Sequence, residues 1–232
     1  MDEILGAGGY GLVVAAETRA VKLFYDTADK EAVRREAEIQ ETARILLEGV
    51  VRVPEVHAVR SFELYFGGAR YLNGIEMSRI MPYHGARSQF HVLLGYSGGD
   101  LESIWGRDTS RAAGPDNPPR GFFSSGVGVG LDLSAIAWKM GWGLRRLLGA
   151  GILPIDLEWV VGSEGELWLI DFGLCRFGLV DADDFLYLEG SDGLATDIYI
   201  PRAGSEHRGA FLLGWHAAIE TWHEIECSSA DV

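Results

Sequence analysis

Cysteine is almost missing. Cys175 and Cys227 are the only two in 232 residues, and they supply neither a disulfide framework nor a metal-ligand spacing. No apolar run approaches the roughly 20 residues that a membrane helix needs, and the first residues lack the basic-then-apolar profile of a secretion signal. The expectation is a cytoplasmic protein in a reducing compartment, with no membrane partner. Basic residues are scarce beside acidic ones, leaving a formal net charge of -14. Such a charge repels nucleic-acid backbones and anionic surfaces, so no nucleic-acid partner is expected. Internal repeats are also lacking. What the chain does have is 47% hydrophobic residues, enough to bury a substantial core in one domain or two small lobes.

The order of local patterns suggests how that core is built. Residues 12–16 and 20–24 read as two short strands joined by the polar turn Glu17-Thr18-Arg19. From about 29 to 48, Ala32, Ile39, Ala43 and Leu46 recur at helical spacing, with Glu36 on the same face. A carboxylate on an apolar stripe asks for a partner. Two further strand-like stretches, 56–65 and 71–80, lead to a break at Met81-Pro82-Tyr83. The stretch 111–130 is rich in Gly, Pro and Ser and reads as a long loop or insertion, with a lid as its expected use. Asp132 is placed to cap a helix carrying Leu133, Ala137, Met140, Leu144 and Leu147 on one stripe and ending at Gly149. A hairpin follows, 159–161 and 167–170 around Gly162-Ser163-Glu164-Gly165. After Pro201, the residues Phe211, Trp215, Ala218, Trp222 and Ile225 mark an amphipathic C-terminal helix.

Gly6-Ala7-Gly8-Gly9-Tyr10-Gly11-Leu12-Val13 fits the pattern GxGxxGxV, and Ala20-Val21-Lys22 follows on the next strand. Glycines let backbone amides approach phosphate oxygens, and a nearby lysine neutralises phosphate charge. Taken without context, the same residues describe a glycine-rich hairpin with an exposed lysine. Further on, an apolar strand ends in Asp171-Phe172-Gly173. The glycine loop, Lys22, Glu36 and Asp171, in that order, resemble the protein-kinase-like superfamily, and the resemblance runs from residue 4 to about 178.

The resemblance implies an α+β, bilobal protein-kinase-like fold. Residues 1–83 would form a small N-terminal sheet-plus-helix lobe, with the hinge at 77–83. Residues 84–232 would form a reduced, mainly helical C-terminal lobe carrying the 111–130 insertion. It also implies ATP and Mg²⁺ as cofactors. Gly6, Gly8, Gly11, Val13, Lys22 and Glu36 would serve the nucleotide, with Glu38 as the alternative partner of Lys22. Asp171 and Glu158 would hold the metal. The chain departs from the family in the catalytic loop, where counting back from Asp171 sets Glu158 on the metal-binding Asn and Leu153 on the catalytic Asp. Asp156 is then the nearest carboxylate to the base position. Asp156-Leu157-Glu158-Trp159-Val160-Val161, Leu167-Trp168-Leu169-Ile170-Asp171-Phe172 and Asp197-Ile198-Tyr199-Ile200-Pro201-Arg202 look similar to segments of a group of small fungal kinase-like proteins.

Two functions follow. One is a divergent phosphotransferase that binds Mg-nucleotide and acts on a small-molecule substrate. The other is a pseudokinase whose cleft serves binding only, or non-phosphotransfer chemistry such as a cyclase or isomerase, with Asp156, Glu158 and Asp171 as its acid-base groups. Elsewhere, His216 and His223 stand two turns apart on the C-terminal helix without a carboxylate or thiol to complete a zinc site, and they read as ordinary core or surface histidines.

Overall fold

Side chains alternate along residues 19–25, so Ala20, Lys22 and Phe24 share one face and Val21, Leu23 and Tyr25 the other. The computed structural model describes residues 4–7, 10–81, 132–155, 157–179, 181–185, 201 and 205–229, and it builds both faces into packed surfaces. Strands β1 (Ile4–Ala7), β2 (Gly11–Ala16), β3 (Arg19–Tyr25), β4 (Val56–Phe66) and β5 (Ala69–Ser78) form an antiparallel sheet in the order β1-β2-β3-β5-β4. The β4–β5 turn uses Gly67 and Gly68, both at positive φ, as tight hairpins on twisted strands require. Met77 and Ser78, the first residues of the stretch expected to be a hinge at 77–83, are instead paired within β5. Pro82 and Tyr83, the 111–130 insertion and most of 197–202 lie outside the described residues.

Helix α1 (Lys30–Leu46) starts at Asp29, whose carboxylate accepts from the Glu31 amide at 3.2 Å. Its buried face is Val33, Glu36, Ala37, Ile39, Gln40 and Ala43. Ala32 is exposed and Leu46 only half-buried, which corrects the stripe read from the sequence. Alanine is too small to mark a face, and the sheet instead takes up Val33 and Ala37 against Ala20, Phe24, Ile75 and Met77. On the opposite side of the sheet, Leu12, Leu23 and Tyr71 are buried under Phe62 and Phe66.

The remaining elements are α2 (Leu133–Gly149), β6 (Ile152–Leu153), β7 (Glu158–Val161), β8 (Leu167–Ile170), β9 (Arg176–Phe177), a one-turn α3 (Ala182–Phe185) and α4 (Arg208–Ser229). Asp132 caps α2 as its position suggested, accepting from the Ala135 amide at 2.9 Å. Strands β7 and β8 form one antiparallel pair and β6 and β9 another. The largest core cluster joins the far end of α1 to α2, β7, β8 and α4, with Trp215, Phe211 and Phe172 fully buried in it. The described residues are therefore α+β: α1 packs on a five-stranded antiparallel sheet, and α2 and α4 pack on each other beside the two short strand pairs.

Residues 47–55 connect α1 to β4 and also bind the β7–β8 pair. The Arg52 amide donates to Leu167 at 2.8 Å, and the Leu169 amide donates to Arg52 at 2.9 Å. Beyond β5, the Ser163 amide donates to the Met81 carbonyl at 2.8 Å. These bonds hold the β7–β8 hairpin against the sheet and α1, and so set where residue 171 falls.

Glycines mid-helix explain how closely α2 and α4 cross. A Cβ on Gly141 would lie 2.0 Å from the Phe211 carbonyl oxygen, and one on Gly214 would lie 1.9 Å from that of Trp138. Side-chain rotation cannot relieve a clash with a backbone carbonyl, so either methyl forces the helices apart. Gly214→Ala is expected to cost about 1–3 kcal/mol by overpacking. Gly209→Ala, on the same helix with open space around it, is expected to be neutral or slightly stabilising through helix propensity. Urea unfolding of the two variants checks the contrast.

Candidate functional site

Lys22 lies in the middle of β3, opposite Val13 on β2 and Ile75 on β5. The pleat turns its side chain to the α1 side of the sheet. There Lys22 Nζ donates to Glu36 Oε1 at 2.6 Å and to Asp171 Oδ1 at 2.7 Å. The two carboxylates stand 14 and 149 residues from the lysine in the chain. Glu36 is 5% exposed and the Lys22 side chain 12%, whereas Asp171 is about half exposed. Glu38 points to the outer side of α1, so the partner of Lys22 is Glu36.

Burial alone would lower the Lys22 pKa, but Glu36 and Asp171 outweigh it and hold the ammonium above its ordinary value. Burial pushes the Glu36 carboxyl up, and Lys22 pulls it the other way. Asp171 has a φ of 64°, and among the described residues only it and Glu17 are non-glycines at positive φ. Aspartate tolerates that region better than most residues, yet it is a sparsely populated conformation of the kind that collects at functional sites. Phe172, fully buried in the largest core cluster, anchors the neighbouring position. At Gly173 a Cβ would sit 3.2 Å from Glu36 Oε2 and 3.5 Å from Lys22 Nζ, so glycine leaves room for the charged set.

Next to the lysine, Val13, Ala20 and Met77 share its face, since Ala20 pairs with Met77 as Lys22 does with Val13. They form an apolar ceiling. Gly6 pairs irregularly with Val13 at the end of the glycine loop, while Gly8 lies outside the described residues. Gly11 has a packing reason of its own: a Cβ there would fall 1.9 Å from the Leu23 carbonyl oxygen. The hairpin demands that glycine whatever the loop binds.

Glu158 pairs with Ile170 in the β7–β8 register, which places it beside the strand end that carries Asp171. Asp156 lies outside the described residues. Leu153 sits in β6, pairs with Arg176 and packs over Gly178 and the main core. An apolar side chain thus occupies the position that the resemblance gives to a general base. His216 is exposed on α4. Among the described residues, no three His, Cys, Asp or Glu side chains are grouped so as to hold a metal by themselves.

The direct Lys22–Asp171 bond and the buried, bonded amide of Gln40 were not read from the sequence. Gln40 did have a signal, as a polar residue one turn beyond Glu36 on the same stripe. A separate cavity of about 270 Å³ opens among Arg44, Arg52, Val53, Glu55, Ser78 and Trp168, and none of the charged set lines it. Comparison with known proteins gives no matching family model and no matching curated protein.

Removing Lys22 strands Glu36 in the interior. Lys22→Met is expected to destabilise the fold by about 3–5 kcal/mol, and the double variant Lys22→Met/Glu36→Met to recover most of that. The single variant's deficit should shrink as pH falls from above the ordinary carboxyl range into it. Glu36 has a raised folded-state pKa, so its ionised form is the costly one and protonation removes the stranded charge. Denaturant titrations across acidic pH check both expectations.

Proposed function

We propose that the chain is a divergent kinase-like protein that binds a magnesium nucleotide beside Lys22 and transfers phosphate to a small molecule. The carrying observation is the convergence of Glu36 and Asp171 on one ammonium, within 2.7 Å, from 14 and 149 residues away. The bilobal kinase-like arrangement belongs to the same proposal. It is supported by the β1-β2-β3-β5-β4 sheet with α1 against it and by the β6–β9 and β7–β8 pairs that flank Asp171.

The charges fit the ligand. One ammonium between two carboxylates leaves a net negative set, which favours a divalent cation. Mg²⁺ is commonly held by one or two carboxylates, with substrate phosphates and water completing its shell. Asp171 and Glu158 would hold it. Lys22, kept in place by Glu36, would turn from Asp171 toward phosphate oxygens, and Val13, Ala20 and Met77 would cover the base. When bound, the nucleotide supplies the transferable phosphoryl group, and these residues position and neutralise it.

Leu153 favours a second reading. Loss of a general base typically costs about 10² to 10⁴-fold, so a leucine at that place suits a pseudokinase that binds nucleotide without transferring phosphate. The same leucine suits a cleft turned to cyclase or isomerase chemistry.

A ligand at 100 times its dissociation constant stabilises the native state by about 2.7 kcal/mol. Each kcal/mol moves the melting temperature of a chain this size by about 2–4 °C. ATP with Mg²⁺ is expected to raise it by about 5–10 °C, ATP with chelator by much less, and Asp171→Asn to remove the shift. No shift at millimolar Mg-ATP defeats the nucleotide reading. A shift without transfer of labelled γ-phosphate to any small acceptor selects the pseudokinase.

A further inference from the structure

Gln40 lies one helical turn beyond Glu36 on the buried face of α1 and is 3% exposed. An amide in that setting is costly unless bonded. Its Nε2 donates to the Pro54 carbonyl at 2.7 Å and lies 3.7 Å from Met77 Sδ. Neither partner is on α1. Pro54 belongs to the connection whose Arg52 is bonded on both sides to β8. Met77 is the ceiling residue opposite Ala20. One side chain therefore touches the helix that carries Glu36, the segment tied to β8 and the apolar roof beside Lys22.

A leucine or methionine would fill this volume at lower desolvation cost. What the amide adds is direction. Apolar packing tolerates some rotation of a helix about its axis, whereas a hydrogen bond to a fixed carbonyl narrows it. Glu36 and Gln40 share a face, so a rotation that broke the Gln40–Pro54 bond would also swing Glu36 away from Lys22. We propose that Gln40 is a positioning residue of the nucleotide site: through the Pro54 carbonyl it sets the rotation of α1, and thereby keeps Glu36 on Lys22. The effect on ligand affinity rests on the nucleotide reading, while the setting of α1 does not.

The test uses Gln40→Met, which keeps volume and removes the donor, with Gln40→Leu as a second variant. Mg-ATP affinity is measured by calorimetry in the wild-type and Glu36→Gln backgrounds, and backbone hydrogen exchange is followed along α1 and α2. Gln40→Met is expected to weaken Mg-ATP about 10-fold, or about 1.4 kcal/mol, and to change little when Glu36 is already Gln. Exchange should quicken along α1 and stay unchanged along α2. Unchanged affinity, an equal loss in both backgrounds, or exchange quickened throughout the protein overturns the proposal. So does failure of both variants to fold, which would assign Gln40 to the core alone. If the wild type does not bind Mg-ATP, the nucleotide reading falls by itself. Exchange then decides on Gln40: selective quickening along α1 sustains the setting role, and no change overturns it.

Discussion

The Lys22 ammonium is buried against a buried carboxylate, and that constrains the elements around it. Taking an unpaired charge out of water is costly, and removing one partner of a buried pair strands the other. Strand β3 and helix α1 must therefore dock in a single relative setting, with Glu36 at 2.6 Å from Nζ. Asp171 adds a demand from a distant part of the chain, reaching the same ammonium at 2.7 Å. Asp171 reaches it from left-handed backbone, and at Gly173 an added Cβ would press on Glu36 and Lys22.

The rest of the framework supplies Asp171 to the right place. Residues 47–55 attach through Arg52 to β8, and Gln40 holds the same connection through Pro54. Behind them the closely crossing α2 and α4 share the largest core cluster with the hairpin. Of the residues the resemblance points to, Lys22, Glu36 and Asp171 come together in this arrangement, whereas Leu153, half-buried against the core, stands where the resemblance expects a carboxylate. Phosphoryl transfer depends mainly on positioning and charge neutralisation, so on the proposed reading this charged set would bear most on ligand choice.

Much of the architecture was legible where local rules are strong. Asp132 marked the start of α2 and Gly149 its end, and the turn at 162–165 separated β7 from β8 as read. Strands β1, β6 and β9 were not read, because two to four residues carry no measurable alternation and exist only through their partners. The face of α1 was read one position off at its start, since Ala32 is too small to distinguish core from solvent. Gly11 was read as a phosphate-loop glycine, and its approach to Leu23 shows that hairpin packing requires it independently.

The sequence by itself determined the order of the longer strands and helices, the Asp132 cap and the identity of the charged residues, because periodicity, capping and turn chemistry act between near neighbours. It also singled out Glu36, since a carboxylate on an apolar stripe must find a partner. Only the tertiary structure decided that Lys22 has two carboxylates, that Glu38 has no part in the set, and that Leu153 pairs in β6 and lies half-buried against the core. Those facts depend on contacts between segments far apart in the chain, 149 residues in the case of Lys22 and Asp171. No local pattern encodes such a distance; it is set by how the α1–β4 connection, the β7–β8 pair and the helix crossing close around one another.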